Sequence, residues 1–82
     1  MPEVLRIDGY TVKIWFNDHP PSHVHVFKNN GECVIELNNQ GGFPILLKFR
    51  GLSRQEVSQA LKIVNKHQEK LLQKWQIIHG DV

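Results

Sequence analysis

Hydrophobic and polar residues alternate over the first part of the chain, and this period of two is typical of a strand with one buried face. The apolar positions are Leu5, Ile7, Tyr10, Val12, Ile14 and Phe16. Asp8-Gly9 divides them into two runs, and an Asp-Gly pair between such runs is a strong signal for a two-residue hairpin turn. The pattern therefore predicts a hairpin over residues 4–16, with the apolar side chains facing the core. The outward face then carries Arg6, Thr11, Lys13 and Trp15.

A second alternating run begins at His23 and contains two turn signals that predict different registers. A turn at Asn30-Gly31 is favoured, because both residues accept a positive φ, and it sets His25 against Glu36. A turn at Asn29-Asn30 slides the pairing by two residues and sets His23 against Glu36 instead. In both registers the inward face carries Val24, Val26, Cys33, Ile35 and Leu37, and the outward face carries His23, His25, Phe27, Val34 and Glu36. Glu36 is therefore expected beside a histidine.

A further strand and a helix are predicted from the second half of the chain. Residues 43–50 are apolar enough for a strand, and Pro44 lies near its start, where a missing N–H matters least. Ser53 and Glu56 have the spacing of a capping box, which marks the start of a helix. Gly80 has the place of a helix C-cap.

Apolar residues recur every three or four positions between these caps, as on one face of a helix. They are Val57, Leu61, Val64, Leu71, Trp75 and Ile78, with Gln68 in one slot and Ala60 and Leu72 flanking the stripe. The spacing predicts one continuous helix over residues 53–78, about 39 Å long at about 1.5 Å per residue. Such a helix would extend past a sheet whose strands are about 20 Å long. Its last turns are expected to overhang the sheet or to meet a partner.

The elements together predict an α+β fold, namely a curled, mostly antiparallel sheet of four to five strands, two hairpins plus one, packed on one long carboxy-terminal helix. With 82 residues, of which 40% are hydrophobic and 22% charged, the chain suits a single domain over residues 1–82 rather than a disordered or fibrous protein. The net charge of +2 falls well short of the strongly basic balance of a typical nucleic-acid-binding domain.

Cys33 is the only cysteine, which excludes an intramolecular disulfide and a cysteine-based zinc site. It is expected to be a small buried hydrophobe. No segment approaches the roughly 20 apolar residues of a membrane span, and no basic region followed by an apolar stretch opens the chain. These features favour a protein of the reducing cytoplasm with no membrane partner.

The stretch NDHPPSHVHV places three histidines around a double proline. His23 and His25 form a His-x-His pair on a strand, so both imidazoles point the same way with Cα atoms about 6.5 to 7 Å apart, a separation that one metal ion can bridge. His19 is a candidate third nitrogen ligand, and Glu36 or Asp18 is a candidate fourth ligand or an outer partner that orients an imidazole. This set suits Zn, Ni, Cu or Fe, so the cofactor is unknown at this point and a divalent transition metal is a candidate that the pattern allows.

Two other interpretations of the histidines are open. In the first, His19, His23 and His25 supply general acids and bases for cleavage of an RNA phosphodiester. The outward face would then supply cations that stabilise the anionic transition state and aromatic rings that stack on bases. The cations are Arg6, Lys13 and Arg50 and the rings are Trp15 and Phe27, and Arg6, Lys13, Trp15 and Phe27 form the predicted interaction surface. In the second, His23 and His25 are solvated residues with Glu36 as a cross-strand partner worth about 0.2 to 1 kcal/mol.

The stretches MPEVLRIDGYTVKIWFNDHPPSHVHV and NKHQEKLLQKW together resemble a family of small bacterial proteins catalogued as a domain of unknown function. Members are similar in opening with Met-Pro and a strand, in an Asn-Asp/Glu-His stretch with two prolines and His-x-His, and in a closing helix with a His and then a Trp. The matching residues here are Asn17, Asp18, His19, Pro20, Pro21, His23, His25, His67 and Trp75. Ser22 is a departure, because in the family the two prolines directly precede His-x-His, and it changes the reach of His19 toward His23.

The resemblance implies a partner more than a reaction. Members of the family are often encoded beside another small protein and are loosely associated with toxin–antitoxin pairs, so a small protein partner encoded nearby is expected. The resemblance also gives weight to His19, His23 and His25 as a functional group. It raises the question of whether His67, from the helix, reaches them.

The sequence as a whole favours a small bacterial cytoplasmic binding or interaction domain with a histidine-lined sheet surface. A histidine-dependent ribonuclease toxin and a metal-binding protein are the alternatives, and the residue types leave open whether the protein is an enzyme. The overhanging helix and the open sheet face favour a homodimer.

Overall fold

The computed structural model describes residues 3–80, so the Met1-Pro2 opening lies outside the described residues. Five strands are followed by two helices, namely β1 (Glu3–Ile7), β2 (Tyr10–Lys13), β3 (His23–Lys28), β4 (Gly31–Glu36), β5 (Ile45–Arg50), α1 (Arg54–Lys66) and α2 (Gln68–His79). The strands form one antiparallel sheet in chain order, with β1 and β5 at its edges. The α+β class and the antiparallel sheet are confirmed, while the expected curl of the sheet stays a prediction.

The first hairpin has the predicted turn. Asp8 and Gly9 have φ values of 53° and 81°, which a type I′ turn requires, and Ile7 pairs with Tyr10. The inward placement of Phe16 was wrong, because its side chain is 72% exposed. The strand ends at Lys13, and the chain then turns, with the Asp18 N–H donating to the carbonyl oxygen of Trp15. Phe16 lies inside this turn, where the alternation of a strand no longer applies.

The second hairpin adopts the register that was not favoured. Lys28 pairs with Gly31 and His23 pairs with Glu36, so the turn is at Asn29-Asn30, with Asn29 at φ 55°. Gly31 is thus the first residue of β4 rather than a turn residue, and a Cβ at this position would collide with the carbonyl oxygen of Gly51. Both registers share the same faces, and the predicted inward residues Val24, Val26, Cys33, Ile35 and Leu37 are all buried.

The single long helix was wrong, because the chain breaks at His67, whose φ of −108° and ψ of 15° leave the helical region. The break coincides with the polar slot of the apolar stripe. The side chain of Gln68 is buried there, where its Oε1 accepts the Asn38 N–H at 2.7 Å and its Nε2 donates to the Gly42 carbonyl at 2.8 Å. These two bonds fasten the start of α2 to the β4–β5 loop.

Both predicted caps are present. The hydroxyl of Ser53 accepts the Glu56 N–H, and the Glu56 carboxylate accepts the Ser53 N–H. Gly80 ends α2 in the left-handed conformation. The expected overhang does not occur, because Trp75 of α2 is fully buried and His79 at the end of α2 donates through Nε2 to the Trp15 carbonyl at 3.0 Å.

The core lies between the inward face of the sheet and the two helices. It consists of Tyr10, Val12, Ile14, Val24, Val26, Cys33, Ile35, Leu37, Ala60, Ile63, Val64, Leu71 and Trp75. No helix within residues 3–80 is long and apolar enough to cross a membrane. The outward face of the sheet carries the histidines of β3, and the ring of Trp75, a core residue of α2, reaches that of His23.

Candidate metal centre

His23 and His25 lie side by side on the outward face of the sheet. Because side chains of a strand alternate, the two residues of β3 that flank buried Val24 point the same way. Their side chains are only 16% and 15% exposed, and their ring centroids are 5.2 Å apart. The pair is therefore shielded rather than freely solvated, which does not fit two ordinary surface residues.

The loop between β2 and β3 brings Asp18 to the two rings. Its Oδ2 accepts the Trp15 N–H at 2.9 Å, and its own N–H donates to the Trp15 carbonyl at 3.1 Å, so the carboxylate is held in one orientation. The side chain is 11% exposed. The other oxygen, Oδ1, lies 3.2 Å from Nε2 of His25 and 3.4 Å from Nε2 of His23.

The hydrogen bond on the far side of His23 fixes which ring nitrogen carries the proton. Nδ1 lies 2.9 Å from the carbonyl oxygen of Pro21, and since a carbonyl can only accept, Nδ1 must donate. In the neutral ring Nε2 then has a bare lone pair aimed at the carboxylate of Asp18. Two electron-rich atoms in this position need a proton or a metal ion between them.

His25 lies between two carboxylates. Its Nε2 faces Asp18, and its Nδ1 lies 3.5 Å from Oε2 of Glu32, a distance longer than a hydrogen bond. Nδ1 is buried and makes no hydrogen bond. The Glu32 carboxylate is held from its other side by Arg50, whose Nη2 donates at 3.0 Å. The side chains of Arg50 and Glu32 therefore form a line of charged groups from β5 to the imidazole of His25.

Aromatic rings cover the histidines. Trp75 of α2 has its ring centroid 5.2 Å from that of His23, and Trp15 lies 6.0 Å from His25. The ring of His79 packs on that of Trp75, with the centroids 4.2 Å apart, and His79 Nε2 donates a hydrogen bond to the Trp15 carbonyl. The end of α2 thus closes one side of the site, and its apolar surface strengthens electrostatic interactions there.

The side chains of Asp18, His23 and His25 together form one cluster of potential metal ligands. One ligand atom from each lies within 4.8 Å of the others, and within residues 3–80 no other group of three meets this condition. Two imidazoles and one carboxylate are a ligand set found in catalytic zinc sites and in non-haem iron sites.

The other predicted ligands lie outside this cluster. His19 is exposed, one residue beyond Asp18 in the loop. Glu36 pairs with His23 across the strands, but its carboxylate is not among the converging atoms. His67 lies at the helix junction, where its Nε2 is buried without a hydrogen-bond partner, and it does not join the β3 histidines.

The sequence did not single out Glu32, and it offered Asp18 only as an alternative to Glu36. Glu32 shares the outward face of the sheet, but the favoured register set Glu36, not Glu32, beside His25. The signal was therefore present in the strand alternation and was hidden by the shift of two residues.

The predicted interaction surface divides into two parts. The ammonium of Lys13 lies 5.4 Å from the centre of the Trp15 ring and 4.9 Å from that of Phe27, which is within cation–π range. Arg6 is exposed and forms an ion pair with Glu3 at 2.9 Å on the edge strand β1. Lys13 pairs with His25 in the sheet. Lys13, Trp15 and Phe27 therefore border the candidate metal centre, and Arg6 does not.

Comparison with known proteins gives a family without an activity. Residues 9–76 match the model of a domain of unknown function, DUF4160. No curated protein and no solved structure matches the chain. The expected protein partner and toxin–antitoxin role therefore stay predictions. Because the match spans most of the chain and includes the whole candidate metal centre, the protein belongs to the DUF4160 family of domains of unknown function.

Proposed function

We propose that this protein is a small binding domain that holds a divalent transition-metal ion through Asp18 Oδ1, His23 Nε2 and His25 Nε2. One observation carries the proposal. Two ligand atoms that share a tetrahedral ion at about 2.0 to 2.1 Å are about 3.3 to 3.4 Å apart. The distances from Oδ1 to the two Nε2 atoms are 3.4 and 3.2 Å, which match two of the three ligand–ligand separations around such an ion, and one ligand atom from each of the three residues lies within 4.8 Å of the others.

The outer partners of the imidazoles support this assignment. A histidine that binds metal through Nε2 usually donates its Nδ1–H to a backbone carbonyl or a carboxylate, which fixes the ring and raises its basicity. His23 has the carbonyl of Pro21 in that place, and His25 has the carboxylate of Glu32. The ring of His23 is therefore oriented for ligation before an ion arrives, whereas Nδ1 of His25, at 3.5 Å, needs a small approach to Glu32 to be held in the same way.

The donor set limits the class of ion. Two imidazole nitrogens and one carboxylate oxygen suit zinc, nickel, copper or ferrous iron, whereas calcium and magnesium prefer all-oxygen sites. Three protein ligands leave a coordination position for water or another ligand. Because Asp18 lies in a loop and the histidines on β3, the ion would also fasten the loop to the sheet, and its binding would stabilise the fold.

Calorimetric titration of zinc into tag-free, chelator-treated protein tests the proposal. We expect one zinc per chain for the wild type, and a loss of at least about 100-fold in affinity for the near-isosteric Asp18→Asn and for a variant with both His23→Ala and His25→Ala. His19→Ala is the matched control, since it removes an exposed imidazole from the same loop, and it should bind as the wild type does. Absence of zinc, nickel and copper binding by the wild type would refute the proposal.

A second candidate is metal-free cleavage of RNA by the same two histidines. The ammonium of Lys13 favours it, because this cation lies against two aromatic rings and pairs with His25 in the sheet. One imidazole would take the proton of the ribose 2′-hydroxyl and the other would give a proton to the leaving 5′-oxygen. Cleavage of a single-stranded RNA in the presence of a chelator, lost in His23→Ala, would favour this candidate over metal binding.

A further inference from the structure

The last part of α2 contacts the candidate metal centre in two places. Nε2 of His79 lies 3.0 Å from the carbonyl oxygen of Trp15, and since a carbonyl can only accept, Nε2 donates. Trp75, one turn earlier, is fully buried, and its ring centroid lies 5.2 Å from that of His23. The rings of His79 and Trp75 pack on each other with their centroids 4.2 Å apart, so the two contacts belong to one unit.

Trp15 connects this unit to Asp18. The Trp15 carbonyl oxygen accepts two hydrogen bonds, one from Nε2 of His79 at 3.0 Å and one from the Asp18 N–H at 3.1 Å. A carbonyl oxygen has two lone pairs, so it accepts both donors at once. The Trp15 N–H donates to Oδ2 of Asp18 at 2.9 Å. His79 therefore holds the residue whose backbone orients the Asp18 carboxylate.

Trp15 and Asp18 lie outside the strands of the sheet. β2 ends at Lys13 and β3 begins at His23, so both residues belong to the connection between these strands. Among residues 3–80, His79 is the only helical residue that makes a hydrogen bond to this connection. A connecting segment with few such bonds opens at a lower free-energy cost than a strand does. The bond from His79 therefore contributes to the placement of the connection.

We propose that His79 positions Asp18 for the metal ion, and that binding of the ion in turn holds the end of α2 on the domain. This coupling rests on the metal binding proposed above. Asp18 uses both of its oxygens, because Oδ2 accepts the Trp15 N–H while Oδ1 faces the two imidazoles of β3. A displacement of Trp15 therefore moves Oδ1. Coupling between two sites is reciprocal, so the end of α2 and the ion stabilise each other by the same factor.

The contacts of His79 make it a positioning residue rather than a ligand. Its Nε2 proton is donated to the Trp15 carbonyl, and its ring nitrogens are not among the converging atoms of Asp18, His23 and His25. A glutamine at this position keeps an N–H donor on a side chain of similar reach but has no imidazole. His79→Gln therefore separates donation to Trp15 from ligation of the ion.

Calorimetric titration of zinc into the full chain tests the role of His79. We expect His79→Ala to lose about three- to tenfold in affinity, at or below the lower end of the effect of a ligand's own outer partner, because His79 acts through Trp15. His79→Gln should retain most of the affinity. Ile77→Ala is the matched control, since it truncates a side chain that is 79% exposed in the same turn, and it should bind as the wild type does.

The outcomes of this titration separate two failures. A wild type that binds no zinc would overturn both the metal site and the coupling. A wild type that binds zinc together with a His79→Ala variant of equal affinity would overturn the coupling alone. A His79→Gln variant as weak as His79→Ala would also overturn it, because donation to Trp15 would then not be the reason for the loss.

A double-mutant cycle tests whether His79 acts through Asp18. In an Asp18→Ala background, which retains the two imidazoles, His79→Ala should cause no further loss of zinc affinity. A general structural effect of His79 would lower the affinity equally in both backgrounds, and that result would contradict the positioning role.

Hydrogen–deuterium exchange tests the reciprocal effect. Zinc should slow exchange of the amides in the last turn of α2, residues 76–79, by up to the factor measured for His79→Ala in the titration. In the His79→Ala variant, saturated with zinc, the same amides should exchange as they do without the ion. Exchange that zinc leaves unchanged in the wild type, or slows equally in the variant, would overturn the proposed coupling.

Discussion

Nδ1 of His25 lies 3.5 Å from Oε2 of Glu32. Arg50 holds the other oxygen of that carboxylate at 3.0 Å, so the acceptor is fixed before any ion binds. A small approach of the two groups would turn the contact into a hydrogen bond. The pair links the candidate metal centre to β4 and β5, so in the proposed site we expect Glu32 to be a positioning residue rather than a ligand.

We expect Glu32→Gln to weaken zinc binding by about tenfold, because loss of an outer carboxylate makes the metal-bound imidazole less basic and less well oriented. Glu36→Gln is the matched control. It removes a carboxylate from the same strand and face, but from a position outside the ligand cluster, and should bind zinc as the wild type does. Calorimetry on both variants makes the comparison, and equal affinities would show that Glu32 has no part in the site.

The close approach of Gly31 to Gly51 predicts a stability effect. Gly31→Ala should destabilise the protein by about 1 to 3 kcal/mol, because the added Cβ would collide with the carbonyl of Gly51 and force a backbone shift. Asn30→Ala, in the exposed turn beside it, should cost less than Gly31→Ala. Urea denaturation of the two variants measures the difference, and a larger loss for Asn30→Ala would argue against the packing described for this hairpin.

The buried amide of Gln68 predicts that replacing it with an apolar residue lowers the stability of the protein. Gln68→Leu completes the hydrophobic stripe, but it leaves the Asn38 N–H and the Gly42 carbonyl without their partner. We expect a loss of about 1 to 3 kcal/mol from these unsatisfied groups. Gln73→Leu, at an exposed position of the same helix, should change the free energy of unfolding by less than about 0.5 kcal/mol. Thermal and urea unfolding measure the stability of both variants. A Gln68→Leu protein that is more stable than the wild type would contradict this prediction.

Burial raises the pKa of the Cys33 thiol to about 11, and the negative charge of Glu32 adds to this effect. An unfolded thiol ionises at about 8.5, so the buried protonated thiol contributes its full share of stability below about pH 8.5 and loses it as the pH rises through about 11. Native protein at pH 8.5 should therefore react with iodoacetamide much more slowly than urea-unfolded protein, as measured by mass spectrometry. Equal rates would mean that the thiol is accessible and ionised in the native state.

Local signals in the sequence predicted the parts of the fold that depend on neighbouring residues. Asp8-Gly9 forms its turn because both residues accept positive φ, and Ser53 with Glu56 caps α1 through bonds three residues apart. The helix break, in contrast, does not depend on neighbouring residues alone. It accompanies bonds from Gln68 to Asn38 and to the β4–β5 loop, far away in the chain, which no helical periodicity can reveal.

Only part of the candidate site could be predicted from local patterns in the sequence. His-x-His on a strand placed His23 and His25 together by alternation alone, and the structure keeps them so. The contribution of Asp18 depends on a turn closed by Trp15, and that of Glu32 depends on which of the two hairpin registers forms. The turn at Asp18 is local but has no strand or helix period that would reveal it, and the favoured register set Glu36 rather than Glu32 beside His25, so the sequence pattern assigned the partner carboxylate to Glu36.

The central claim is the metal ion between Asp18 and the two histidines of β3, and the most direct test is a crystal of the zinc-loaded protein with anomalous data collected at the zinc absorption edge. We expect one anomalous peak per chain, about 2.0 to 2.1 Å from Nε2 of His23 and of His25 and about 2.0 to 2.2 Å from a carboxylate oxygen of Asp18. No peak among these three side chains, or a peak bound by His19 or Glu36 in their place, would contradict it.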